Sequence, residues 1–553
     1  MRRVVFQLIS FISKTLWPQI PNIQILGSLL FLASLVCHKS GAQTQVLANN
    51  VVPEPFEVRS AKGYFTLNET HGFIVAKEFF NSNEIVNLQQ LLKLKTGIEL
   101  LPSKNPAKEG VAIKFNDSIK NSEGYLLEIS QTGIRFEASH KKGLFYGIQT
   151  LRQLFPLSIE GENSGSLPFV IIKDTPRFSF RALMLDPARY FLPIEDMKRY
   201  VDVMAMYKFN RLHLHLTDDH GWRIEIKKYP KLTEIGSVRK ETMGDGKPHG
   251  GFYTQKALKE LVAYAKERHI EIIPEIDMPG HGISILAAYP ELACFPKKFE
   301  LSTTPGVSKE LLCAGKEEVY QFYEDVLAEV VKIFPYNILH LGGDEAPLDQ
   351  WKRSPHCQAM IHNNRLGDEE GLMAYFFGRI NDILIKYKKE PIFWYESNVR
   401  HYPANSSLIL WRNEHPDKML REIQTRGLKM INSHGRSAYF DYPQWKGDLP
   451  NADWMPLLTL KDTYHFDPVR GLTDEESGFI KGVEAYVWGE YVPNLERAFY
   501  MTYPRALAFS EAAWSADKNR SWNSFLSKLE KQMLLLSENG VFFRPPVEYL
   551  NTN

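Results

Sequence analysis

Cysteine is scarce: the 553-residue chain has four, Cys37, Cys294, Cys313 and Cys357. That excludes a disulfide-dense scaffold. No Cys-x-x-Cys pair occurs, so a structural zinc site of that kind has no support in the sequence. Cys294 and Cys313 are close enough along the chain to form one disulfide, or to remain two buried thiols. Charge of one sign is also lacking, with Lys+Arg 66 against Asp+Glu 65 and a formal net charge of +1. No global basic field attracts nucleic acid or an anionic membrane. No Gly-x-Gly-x-x-Gly follows a strand and no phosphate-binding Gly-x-x-x-x-Gly-Lys-Ser/Thr occurs, so nucleotide binding is unsupported and no cofactor is implied. Internal repeats are absent.

Long apolar runs are few. Ile23–Val36, behind Arg2, Arg3 and Lys14, falls short of the about 20 residues of a membrane span. Ser40-Gly41-Ala42 then supplies the small residues that a signal peptidase reads. Residues 1–42 are therefore expected to be an export signal cleaved after Ala42. The mature protein is expected in the periplasm, outside the cell or at its surface, without stable membrane insertion. An uncleaved anchor is the alternative. Lipidation of Cys37 is a third option that Val36 before it disfavours.

What is present is a globular composition: 44% hydrophobic, 24% charged and 12% aromatic, with 10 Trp and 25 Tyr. Such content excludes disorder for most of the chain. Residues 43–175 mix short strand-like runs (Val111–Phe115, Tyr125–Ser130) with helical spacing (Ile85–Lys95, Gly143–Phe155), predicting a small α+β domain. Asp174-Thr175-Pro176 marks a boundary.

In residues 176–553, short apolar strands alternate with amphipathic helices. The eight candidate strands are Ala182–Leu185, Arg211–Leu216, Glu271–Ile276, Asn337–Leu341, Pro391–Trp394, Leu408–Trp411, Lys429–Asn432 and Val483–Val487. Helical patterns fill Ile194–Tyr207, Gln255–Arg268, Glu317–Phe334 and Leu372–Tyr387. The fifth and sixth strands are too close for a full helix between them. Eight such strands predict an α/β fold, a (β/α)8 TIM barrel, with a doubly wound open sheet as the alternative. Asn494–Trp514 and Trp522–Leu536 are expected to be closing helices.

Polar and aromatic residues cluster just past the strand ends. They include Asp186 and Arg189, Asp218 and Asp219, Asp277 and His281, Asp344 and Glu345, Trp394 and Glu396, Trp411, Tyr439 and Asp441, and Trp488 and Glu490. A barrel gathers these ends around one mouth. A single carboxylate there is ordinarily a helix cap, but capping does not account for carboxylates or tryptophans at nearly every end. Carboxylates suit acid–base work on a glycosidic bond, and indole faces suit a pyranose. Adjacent Asp344 and Glu345 repel, so one is expected to hold its proton near neutral pH, as a general acid must.

These motifs resemble glycoside hydrolase family 20, the β-N-acetylhexosaminidases, over residues from about 52 to 545. The resemblance rests on His340-Leu-Gly-Gly-Asp-Glu345, Leu185-Asp-Pro-Ala-Arg189, His213-Leu-His-Leu-Thr-Asp-Asp219, Pro274-Glu-Ile-Asp-Met-Pro-Gly-His281 and Tyr503-Pro-Arg-Ala-Leu-Ala. Gly143-Leu-Phe-Tyr-Gly-Ile-Gln-Thr-Leu resembles the family's small non-catalytic domain. Phe393 departs from the pattern, standing where the family commonly has Gly before Trp394.

The resemblance implies substrate-assisted retention, which needs no protein nucleophile. It implies Glu345 as acid and base, Asp344 on the acetamido N–H and Tyr439 on its oxygen. Asp218 and His281 would tune Glu345. Arg189, Asp441 and Glu490 would bind hydroxyls, and Trp394, Trp411 and Trp488 would wall the pocket. The implied partner is a glycan with a terminal N-acetylhexosamine. Two other readings are a metal-dependent barrel hydrolase, using His213, His215, His281, His340 and Asp277, and a non-catalytic carbohydrate-binding protein.

Overall fold

The computed structural model describes residues 50–546 apart from 103–108, 158–164, 413–415, 450–451 and 453, together with Glu548. The expected export signal and Cys37 lie outside the described residues. The first unit is a six-stranded mixed sheet. Its strands are β1 (Glu57–Thr66), β2 (Gly72–Val75), β3 (Gly110–Phe115), β4 (Tyr125–Ser130), β5 (Gly133–Ala138) and β6 (Ser166–Asp174). Their spatial order is β1-β6-β4-β5-β3-β2. Helices α1 (Asn83–Thr96) and α2 (Lys141–Leu154) accompany it. Almost all of α2 is buried, because it lies between the sheet and the second unit.

The second unit is a closed barrel. Its strands are β7 (Phe180–Leu185), β8 (Arg211–His215), β9 (Glu271–Glu275), β10 (Ile338–His340), β11 (Glu390–Trp394), β12 (Ser407–Leu410), β13 (Lys429–Asn432) and β14 (Ile480–Val487). All pair in parallel, and β14 pairs with β7 from Gly482↔Phe180 to Val487↔Leu185, which closes the ring and removes the open-sheet alternative. Both strand faces are buried, as a parallel barrel requires. Side chains alternate: Ala182 and Met184 of β7 join Ile273, Ile338, Ile392, Ile409 and Ile431 inside, while Leu183 and Leu185 join the outer core against the helices.

The main helices of this layer are α3 (Ile194–Met206), α4 (Gln255–Lys266), α5 (Glu317–Ile333), α6 (Glu369–Lys386) and α7 (Pro416–Arg426). Residues 395–406 carry no helix, as their length predicts. The expected stretch Asn494–Trp514 is two helices, α8 (Leu495–Thr502) and α9 (Arg505–Trp514). The break is at Pro504, which has no N–H to continue the first helix. The last long helix, α10, is Trp522–Glu538.

Buried ions join the two units. Lys208, after α3, sits 2.7 Å from Asp174 at the end of β6, and both side chains are fully buried. Trp514 Nε1 and Tyr125 Oη also donate to Asp174. Arg181 of β7 meets both oxygens of Glu123 at 2.9 and 3.1 Å. Burial pushes the Glu123 carboxyl up, but the charge and hydrogen bonds of Arg181 outweigh this and hold it down at about 2.

Two outcomes are expected. Lys208→Met leaves a buried carboxylate without its cation and costs about 3–5 kcal/mol of stability, read by denaturant unfolding. The Glu123 contribution is fully present above the ordinary value of 4.5 and is lost as pH falls through about 2. Glu123→Gln should therefore weaken the acid dependence of unfolding in that window.

Candidate active site

All eight barrel strands end on the same side, and the turn of chain after each end sets which side chains reach the mouth. After β7, Asp186 accepts from the backbone N–H of Arg189 at 3.1 Å and of Gly489 at 2.8 Å, tying the first strand end to the last. The Arg189 guanidinium then meets Asp186 at 2.8 Å, Asp218 at 3.0 Å and Glu490 at 3.4 Å. Its charge also lies 4.9 Å over the Trp488 ring. Asp218 continues inward to His281 Nδ1 at 3.2 Å. Nε2 of the same ring lies 3.8 Å from Asp344 and 3.7 Å from Glu345.

The turn after β10 makes this approach possible. Gly342 and Gly343 have φ of +64° and +98°. A Cβ on Gly342 would lie 1.8 Å from Asp277 Oδ1, and that same oxygen accepts from Gly343 N–H at 3.1 Å. His281 and Glu345 are themselves left-handed, each with φ +48°. For residues with a Cβ, such backbone costs about 1–3 kcal/mol and persists only where the surroundings enforce it.

A cavity of about 300 Å³ opens on these groups. That is at the small end of ligand sites, about 300–1,000 Å³, and suits one sugar ring. Arg189, His281, Asp344, Glu345, Trp411, Tyr439, Asp441, Trp488 and Glu490 line it, so the structure brings together these residues singled out in the sequence. Asp218 lies behind Arg189, fully buried. Trp394 departs from the expectation of a pocket wall. It is 1% exposed and lies beneath the cavity against Trp411 and Trp488, because its Nε1 donates to buried Glu275 at 2.7 Å. Phe393 points the other way, onto Phe377 of α6, so its replacement of Gly does not intrude on the pocket.

Arg412, Tyr442 and Trp454 also line the cavity. Arg412 stacks 3.8 Å from the centroid of Trp411 and pairs with Glu345. It directly follows a strand-end tryptophan, so the strand-end rule could have found it. Tyr442 and Trp454 come from a loop whose path no periodicity announces.

Of the histidines considered as metal ligands, His281 lines the pocket, while His213, His215 and His340 lie deeper in the barrel. His213 faces Glu484 at 2.8 Å and Glu275 at 3.1 Å. His340 is 3.0 Å from Glu275, and His215 contacts Glu275 and lies 3.2 Å from Asp218. Alternate positions of β8 share the inward face, as its period of two requires.

The charges of the carboxylate pair differ from a simple repulsion. Burial pushes Asp344 up to about 6, with Glu275 and Glu345 adding and His281 opposing. Burial also raises Glu345, but the hydrogen bond from His281 and the charges of His281 and Arg412 outweigh it and hold Glu345 below the usual range. Of the pair, Asp344 is the one that keeps a proton nearer neutral pH. Glu396, whose Oε1 faces Glu345 N–H, is pushed up to about 7 by burial and by Asp344. Asp344 Oδ1, Tyr439 Oη, Asp441 Oδ1 and Glu490 Oε2 are buried without a hydrogen-bond partner in the protein. Buried polar atoms are ordinarily satisfied, so these mark where a ligand's polar groups belong.

A one-ring pocket at a barrel mouth, with paired carboxylates, indole walls and a fixed guanidinium, defines a glycoside hydrolase. Residues 178–517 match the family described as Glycosyl hydrolase family 20, catalytic domain, and residues 48–175 match its domain 2. A β-hexosaminidase of Akkermansia muciniphila is 44% identical over 409 residues, 74% of this chain and 82% of its own. A β-hexosaminidase of Porphyromonas gingivalis is 34% identical over 535 residues, 93% of this chain and 67% of its own. The crystal structure of a Vibrio harveyi exo-β-N-acetylglucosaminidase with N-acetylglucosamine superposes with a TM-score of 0.80. It is 29% identical, covering 90% of this chain and 79% of that one. The chain belongs to glycoside hydrolase family 20, the β-N-acetylhexosaminidases.

Gly342→Ala tests the turn. The added methyl has no room against Asp277, so unfolding stability should fall by about 2–4 kcal/mol and turnover should fall with it. Thermal melting and kcat on an aryl glycoside read the two effects.

Proposed function

We propose that the enzyme removes single β-linked GlcNAc or GalNAc residues from the non-reducing ends of glycans by substrate-assisted, retaining catalysis. The observation that carries this reading is the pair of buried, unpartnered atoms Asp344 Oδ1 and Tyr439 Oη beside Glu345. One is an acceptor for an acetamido N–H and the other a donor for its carbonyl oxygen. In the first step that carbonyl oxygen attacks the anomeric carbon. The bond to the leaving oxygen breaks, and that oxygen takes the proton of Glu345. In the second step Glu345 accepts a proton from water, which opens the oxazolinium ring at the same carbon. The two inversions give net retention. Holding an internal nucleophile in line supplies several kcal/mol of the barrier, on the order of 7 or more when alignment is ideal.

The protein's own groups favour the proton on Asp344 rather than on Glu345. Substrate reverses this order. An acetamido N–H donated to Asp344 favours its carboxylate, and a leaving group at Glu345 takes the place of Arg412. Asp218 and His281 position Glu345, Arg189, Glu490 and Asp441 hold ring hydroxyls, and Trp411 and Trp488 flank the ring above Trp394. The expectation that residues 1–42 are an export signal places this action after export; N-terminal sequencing of the exported protein should then find Gln43 first.

Comparing aryl GlcNAc, GalNAc and glucose substrates tests the mechanism. The glucoside, which has no acetamido group, should be inert, and equal turnover of it would overturn the proposal. Glu345→Gln should lower kcat by about 10²–10⁴ on poor leaving groups, and Asp344→Asn by about 10²–10³. Arg412→Gln removes a cation from Glu345, so the Glu345 pKa should rise. The alkaline limb of kcat/KM should then move to higher pH.

A further inference from the structure

Three cysteines that no sequence motif joins converge outside the sugar pocket. Cys294 and Cys313 lie in the connection after β9, and Cys357 lies on the helix Pro355–Asn363 in the connection after β10. Cys357 Sγ is 3.5 Å from Cys313 Sγ and 3.9 Å from Cys294 Sγ. All three sulfurs fall within 4.8 Å of one another. None of the residues is more than 7% exposed, and all three are free thiols. Ser354 Oγ joins the group at 3.5 Å from Cys313 Sγ.

The approach is built into both segments. A Cβ on Gly315 would lie 2.3 Å from the backbone of His356 and Cys357, so only glycine lets the strand of chain after Cys313 pass this close to the helix. Trp351 Nε1 donates to Leu312 O at 2.9 Å and fixes the same pair of segments beside the cluster. Ser354 caps the helix through Cys357 N–H, which orients Cys357 toward the other two.

Packing alone does not explain the arrangement. A buried thiol is content against any aliphatic side chain, and one disulfide would leave the third sulfur over. Three thiolates around one ion use all of them. A tetrahedral zinc with Zn–S bonds of about 2.3 Å sets its sulfurs about 3.8 Å apart, close to the spacings found here.

We propose that Cys294, Cys313 and Cys357 bind one zinc ion, with Ser354 Oγ beside the fourth position. On binding, three S–H bonds give three protons to solvent and three Zn–S bonds form, and zinc stays divalent throughout. The site lies outside the sugar pocket and takes no part in the reaction. It clamps the connection that carries His281 to the one that carries Asp344 and Glu345.

The test uses the full exported chain, incubated with zinc and then dialysed without chelator. Elemental mass spectrometry should find one zinc per chain in the native protein and almost none in Cys357→Ser. Replacement by Co²⁺ should give the charge-transfer absorption of thiolate-bound cobalt, a readout that needs no variant. Chelation should lower the Tm of the native protein and leave that of Cys357→Ser unchanged. Two outcomes would overturn the proposal. One is an intact mass lighter by two hydrogens with no metal, which means a disulfide. The other is three thiols that alkylate equally with and without zinc after unfolding is excluded.

Discussion

Arg189 is the interaction on which the mouth of the barrel depends. Its guanidinium meets Asp186, Asp218 and Glu490, which come from the ends of three different strands. A planar fork with five donors serves three carboxylates in fixed directions, which a lysine ammonium does not. Asp186 and Asp218 are buried and Glu490 is partly so, so the first two would be costly without the cation. The cation in turn is buried only because they surround it. Asp218 passes the order on to His281, and His281 to the Asp344–Glu345 pair. The Asp344–Glu345 pair is thus placed by a chain of charges that starts at the opposite side of the barrel.

A second buried centre works from below. Glu275 of β9 lies among His213, His215 and His340 and accepts from Trp394 Nε1. Burial alone would keep it protonated, but the charges of His340 and His215 and the hydrogen bond of His213 hold it well below the usual range. Trp394 is thereby held under Trp411 and Trp488, edge-on to the first and tilted to the second. His213, His215 and His340 share this carboxylate, with Glu484 and Asp218 as further partners. Above the floor, the same principle acts in reverse. Asp344, Asp441 and Glu396 are pushed up by burial, which outweighs the opposing charges of His281, Arg505 and Arg412 respectively.

Much of this was legible in the chain. The eight strands fall where alternating apolar runs predict them, with ends displaced by at most a few residues, because both faces of a barrel strand are buried and its composition shows it. Arg189, Asp344, Glu345, Tyr439 and Glu490 were visible because they sit just past such runs. Trp394 was visible too, but not its place. Whether a strand-end indole lies in the wall or under the floor depends on Glu275, 119 residues away. Arg412 was passed over for the opposite reason: its role comes from stacking on Trp411 and reaching Glu345 across the mouth.

The amino-acid order by itself determined the α/β class, the two units and the set of groups offered to a sugar, since each follows from local periodicity and from what stands next in the chain. The tertiary structure decided the rest. Closure of β14 on β7 made a barrel rather than an open sheet. The partners of Asp344 and Glu345 decided which of two adjacent carboxyls keeps its proton, although their neighbours in sequence are nearly the same. Folding also brought Cys357 to Cys294 and Cys313, which no spacing pattern connects. In each case the physical reason is that charge, burial and metal-like convergence are properties of three-dimensional surroundings, and residues far apart in the chain supply them.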